Sequence, residues 1–212
     1  DATVTLNDFS VVNNAPFQGD TLAYGKELRI AMGVKQLFKN AGDDPIKVDA
    51  LRLDDAIITI KVDSLGNTNY DIAKDTSSDP AVAKENTTST PFTFDLQHYE
   101  LNNATIHYLD ESTKTYLHIT EMNHEGNGDF SVDQSTLKTE TKALVSFEFD
   151  GINYLDEAAI DLLADIQLDL ENQKYTFLEN KAIIHDLPLQ FDGYVQLIEE
   201  GTAMDLSFET PS

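Results

Sequence analysis

Cysteine is absent from the 212 residues. No disulfide framework, thiolate metal centre or cysteine nucleophile is possible. The absence fits an oxidising compartment whose proteins avoid stray thiols, and it fits a cytosolic domain equally well. Basic side chains are scarce: 14 Lys and Arg face 38 Asp and Glu, a formal net charge of −24. Such a chain repels phosphate backbones and anionic headgroups, which excludes nucleic acid as a partner. No apolar run approaches the roughly 18 residues of a membrane span, and no signal peptide opens the chain. The opening "DATVTL" already reads as a strand and the closing "MDLSFETPS" as another, so the chain reads as a fragment of a longer protein. Helical signals are few. "VKQLFKNAG", Val34 to Gly42, predicts a short helix ended by Gly42. "DEAAIDLL", Asp156 to Leu163, reads as strand, because Ile160, Leu162, Ala164 and Ile166 alternate, although Ala158 and Ala159 favour helix.

What is present is period-two alternation, in a chain whose 41% hydrophobic content is enough to fill a core. In "FTFDLQ" the apolar set is Phe92, Phe94 and Leu96. In "ALVSFEFD" it is Ala143, Val145, Phe147 and Phe149, and in "ADIQLDL" it is Ala164, Ile166, Leu168 and Leu170. These are half-buried strands with one wet face. Three hairpin registers follow. Tyr108 lies beside Leu117 and Ile106 beside Ile119. Leu170 faces Tyr175 and Leu168 faces Phe177. Leu197 faces Met204 and Val195 faces Leu206. The polar stretch from Lys74 to Pro91 reads as a mobile loop between an N-terminal lobe, 1–73, and a C-terminal antiparallel meander, 92–212. One sheet is expected to continue across it. The predicted fold is mainly β: a single β-rich domain with a curved antiparallel meander and one or two short helices.

Chemistry-bearing motifs are sparse. "VDSLGNTNYD" places Asp63, Asn67, Asn69 and Asp71 around Gly66, oxygen ligands of the type calcium takes. The glycine follows the first Asp by three, and no Glu stands at the twelfth position, so this is not an EF-hand loop. A strand from Ile57 to Val62 ending in a tight turn through Leu65 and Gly66 explains the same residues. His107 falls opposite His118, close enough to share a metal, with no third ligand evident. His98, His124 and His185 belong to no motif, and "EMNHEGNGDF", Glu121 to Phe130, reads as a loop. No G-x-S-x-G, P-loop or G-x-G-x-x-G occurs. No catalytic, cofactor or metal residue is assigned, and no enzyme activity is expected.

The wider context of that turn, Val48 to Ile72, resembles a recurring element of the AsmA family: a short strand, a longer apolar strand, then D-x-x-G-x-x-N-[WY]-D, filled by Asp63, Gly66, Asn69, Tyr70 and Asp71. The upstream stretch, Val11 to Phe38, is similar to the family's strand, Pro-Phe turn, amphipathic strand and short helix. Glu100 to Thr113 resembles its hairpin element after the loop, and Tyr175 to Leu197 the strand pair that precedes its D-L-x-L-x-x-x-G turn. Tyr70 stands where Trp is commoner, and His185 where Asn is expected. The resemblance implies a protein anchored in the bacterial inner membrane, with its bulk in the periplasm. There it would support outer-membrane biogenesis by holding or conducting lipid acyl chains along an apolar β-groove, with envelope proteins as partners. Groove candidates are Phe130, Val132, Val145, Phe147, Ile166, Leu168 and Phe177. The alternative is a structural or protein-binding β-scaffold with a closed core and no ligand.

Overall fold

The computed structural model describes residues 2–38, 47–70, 95–130, 132–198 and 201–211. Its ten strands are β1 Ala2–Val12, β2 Thr21–Met32, β3 Lys47–Val62, β4 Asp95–Asp110, β5 Thr115–Asn127, β6 Gln134–Phe149, β7 Ile152–Asp169, β8 Lys174–Ile184, β9 Leu187–Ile198 and β10 Gly201–Glu209. They form one open, curved sheet in sequence order. Every pair is antiparallel except β3 and β4, which run parallel. A parallel pair needs a long return connection, and residues 63–94 lie between these two strands. Two meanders, β1–β3 and β4–β10, are thus joined edge to edge. The expected helix is a single 3-10 turn, Val34–Phe38. Gly42, Asp71, Phe92, Phe94 and the predicted loop from Lys74 to Pro91 lie outside the described residues.

The Tyr108–Leu117 and Ile106–Ile119 pairs stand in the expected register, and Asp156–Leu163 is strand. The other two hairpins are each shifted by two residues. Leu168 faces Tyr175 and Ile166 faces Phe177, where Leu170–Tyr175 and Leu168–Phe177 were expected. The Asp169 carboxylate accepts hydrogen bonds from the Asn172 backbone (3.0 Å) and side chain (2.9 and 3.0 Å). Gln173 turns left-handed at φ 49°, so the turn takes four residues. Val195 faces Met204 and Gly193 faces Leu206, because the ladder closes at Ile198 and Gly201. A slip of two leaves every side chain on its own face.

Alternation alone does not reveal how the sheet bends. At one level the ladders of β1–β4 leave one residue of each strand outside the pairing, Asp8, Lys26, Asp55 and Asn103, with the register unchanged on either side. Asp8, Asp55 and Asn103 have φ of 51°, 50° and 52°, the left-handed region that Asp and Asn tolerate best. Glu121 in β5 and Glu157 in β7 repeat the feature, at 51° and 46°. Such bulges bend a strand and raise its twist. The signal is legible once seen: a doublet of polar residues between apolar ones, as in "LNDF" (6–9), "LDDA" (53–56), "LNNA" (101–104) and "LDEA" (155–158). The alanines closing three of these, Ala56, Ala104 and Ala158, are 1%, 0% and 0% exposed.

The described part of the "VDSLGNTNYD" stretch, residues 62–70, is a turn that closes the end of β3. Asp63 accepts from the backbone N–H of Leu65 (2.8 Å) and Asn67 (2.9 Å) and from the Asn67 side chain (2.7 Å). These bonds, led by that of the Asn67 side chain, lower its pKa. Asn69 is buried. Its Oδ1 accepts from Lys61 N (2.8 Å) and its Nδ2 donates to Thr59 O (2.7 Å). Its carbonyl takes the amide of buried Asn13 from the β1–β2 connection. Asn69 therefore supplies the partners that β2, whose pairing ends at Ala23, no longer offers to Thr59 and Lys61. Asn69→Ala strands a buried N–H and C=O, and is expected to lower unfolding free energy by about 2 kcal/mol or more in urea titrations. An unchanged midpoint would contradict the pairing role.

Candidate apolar binding face

Residues opposite one another in a ladder share a face, so the registers assign each side chain to one flank. One row crosses nine strands: Leu6, Leu28, Leu53, Leu101, His124, Thr141, Leu162, Ala182 and Leu189. A second on the same flank runs Val11, Ala23, Ile58, Ile106, Ile119, Val145 and Ala158. Toward β10 the flank continues through Leu137, Ile166, Phe177, Gly193 and Leu206. The adjacent row on the other flank is Thr5, Arg29, Arg52, Glu100, Glu125, Glu140, Leu163, Lys181, Gln190 and Glu209. One flank is greasy and the other charged.

Strand contacts run essentially between sheet neighbours, with no second layer among the described residues. The largest fully buried side chains are Asn69 and Asn180, not apolar ones. Small and central positions of the apolar flank, such as Ala104, Ala143, Val145, Ala164 and Leu168, are nonetheless buried. In a single sheet this happens when neighbours on one flank lean together, so the sheet curls toward its apolar side. Aromatic rings line the β8–β10 end, with Phe177 and Phe191 centroids 5.7 Å apart and Phe191 and Phe208 5.9 Å apart. Phe208 remains 58% exposed.

Five of the seven groove candidates, Val145, Phe147, Ile166, Leu168 and Phe177, share this flank. Phe130 and Val132 do not stand in a strand. They belong to the connection between β5 and β6, because β6 begins only at Gln134. Phe130 still packs on Tyr99 of the apolar flank, at 6.1 Å between centroids, whereas Val132 is exposed.

In the middle of the apolar flank sits a polar relay. Tyr99 Oη lies 2.9 Å from His124 Nε2, and His124 Nδ1 lies 2.7 Å from Thr141 Oγ1. Opposite Tyr99 the ladder places Gly126, where any side chain would collide with the tyrosine ring. That gap lets the ring lie across β5 and reach His124. Burial holds the His124 imidazole below its ordinary pKa and the Tyr99 phenol above its own. The trio comes from three strands, so no short motif announces it; Gly126 two residues after His124 is the local hint.

On the charged flank, His107 and His118 stack with centroids 4.4 Å apart. They line a cleft of about 410 Å³ with Thr59, Lys61, Tyr116 and Glu148. Among the described residues no group of three or more His, Asp or Glu is arranged to hold a metal ion. At the parallel seam Arg52 pairs with Asp54 (3.0 Å) and Glu100 (3.2 Å), and His98 with Glu100 (2.9 Å). No family model, curated protein or solved structure matches this chain.

The two histidine sites titrate with opposite signs. The hydrogen bond to Glu100 raises the His98 pKa, so its stabilisation is complete below the unfolded value near 6.5 and fades as pH rises through the higher folded value. Desolvation, then the charge of His118, lowers that of His107, so protonation opposes folding as pH falls below about 6.5. His98→Gln should therefore lower the urea midpoint more at pH 6 than at pH 8. His107→Gln should flatten the loss of stability between about pH 6.5 and 5. Parallel pH profiles for wild type and both variants would refute both assignments.

Proposed function

We propose that this chain binds acyl lipid along its apolar flank and catalyses no reaction, as a periplasmic module of an AsmA-like, membrane-anchored protein that works with other envelope proteins. The observation that carries the reading is the largely apolar nine-strand row, with no second layer over it among the described residues. Contiguous exposed apolar surface of this kind marks a binding site. The charged flank and the net charge of −24 keep the other side in water. The motifs around Asp63, Gly66, Asn69 and Tyr70 support the family reading and the compartment it implies.

The energetics favour two acyl chains over one. A methylene fully withdrawn from water contributes about 0.8 kcal/mol. About ten methylenes half-covered by a single sheet thus contribute about 4 kcal/mol, a dissociation constant near 1 mM. A second chain, or a sheet curled around the first, brings the affinity toward the micromolar range. The second reading, a protein-binding scaffold with a closed core, needs an enclosed apolar interior, and the described residues form one layer.

Leu162 and Leu163 are adjacent but face opposite flanks. In the delipidated protein, Leu162→Glu is expected to weaken uptake of a fluorescent acyl-lipid probe at least about tenfold, because a carboxylate would be pressed against hydrocarbon. Leu163→Glu should leave it within about twofold. Wild-type protein that purifies without phospholipid and takes up no probe would refute the function.

A further inference from the structure

Tyr99, His124 and Thr141 put hydrogen-bonding groups into the middle of an otherwise apolar part of the flank. Building on the acyl-lipid reading above, we infer that this relay recognises the ester carbonyl of an uncharged or zwitterionic diacyl lipid. A neutral imidazole donates from one nitrogen and accepts at the other. If Tyr99 donates to His124 Nε2, then Nδ1–H donates to Thr141, whose hydroxyl proton is left at the end of the chain. In the other tautomer Thr141 donates to Nδ1, Nε2–H donates to Tyr99, and the tyrosine proton is left. Either way the relay ends in one neutral O–H donor. Tyr99, His124 and Thr141 are all partly exposed, so that donor is within reach of a ligand lying on the flank.

A lone neutral donor suits a carbonyl oxygen. It does not suit a carboxylate, which in an apolar setting needs a positive partner. The row through His124 and Thr141 contains no Lys or Arg, and the net charge of −24 adds repulsion. Dimensions agree with an ester seated there. From Leu101 on β4 to Leu6 on β1 the row spans three strand spacings, about 14 Å. One leaflet of a bilayer core, the length of an acyl chain, is about 15 Å. On the far side Leu162 to Leu189 offers a shorter apolar stretch for a second chain.

The test compares a diester phosphatidylcholine with its diether analogue of equal chain length, each displacing a fluorescent lipid probe from the delipidated full chain. One neutral hydrogen bond corresponds to about fivefold, so wild type should bind the diester about fivefold more tightly. The triple variant Tyr99→Phe, His124→Leu, Thr141→Val removes every O–H and N–H of the relay. It should keep its diether affinity and lose the preference, and unchanged diether affinity also reports an intact fold. Equal diester and diether affinity in wild type overturns the inference while leaving the acyl-lipid reading standing, as does a preference that survives in the triple variant. Failure of wild type to take up the probe overturns the acyl-lipid reading, and this inference with it.

Discussion

A strand sends alternate side chains to opposite faces, and a single sheet has no other layer to receive them. Everything else in this molecule depends on how that problem is met on its apolar flank. A sandwich would bury the flank against a second sheet. Here the chain bends instead. Left-handed Asp8, Asp55 and Asn103 align with Lys26 across four strands and crease the sheet along one line. Small residues follow the crease, and Ala56 and Ala104 vanish from solvent as larger neighbours lean over them. Between them stand Leu28, Leu53 and Leu101, half-buried and ready to be covered by something apolar.

The charged flank is organised to keep that arrangement soluble and aligned. Arg52 and Glu100 bridge the parallel seam where the two meanders meet, and each is held by a partner on its own strand, Asp54 and His98. Lys26 pairs with Asp55 at 3.5 Å, and Asn103 donates to the same carboxylate at 2.7 Å, which ties the crease together from outside. Exposed pairs of this kind contribute little individually. Their value lies in register: a one-residue slip would send every leucine of the central row to the charged side.

Much of this was legible in the residues. The β4–β5 ladder follows from Ile106, Tyr108, Leu117 and Ile119, because both apolar sets and the turn demand one pairing. The β7–β8 and β9–β10 registers differ by two, since alternation specifies a face but turn chemistry specifies the step; Asn172 on Asp169 lengthens the first turn. The stretch from Glu121 to Phe130 reads as a loop, yet β5 runs on to Asn127, and only its end, with Phe130 and Val132 beyond, falls in the connection. The relay of Tyr99, His124 and Thr141 required two registers at once, so composition and spacing in one segment carry no trace of it. Asn69 reads as turn chemistry in sequence and serves as a strand's missing partner in the fold.

The central claim is that one flank, and only one, accepts hydrocarbon. Photo-crosslinking with a phosphatidylcholine carrying a diazirine in its acyl chain, mapped by mass spectrometry, tests it most directly. Adducts are expected on peptides through side chains such as Leu28, Leu101, Ile106 and Leu162, with Ile57, Leu109 and Leu163 unlabelled. Labelling spread evenly over both sets, or confined to the second, would contradict the account.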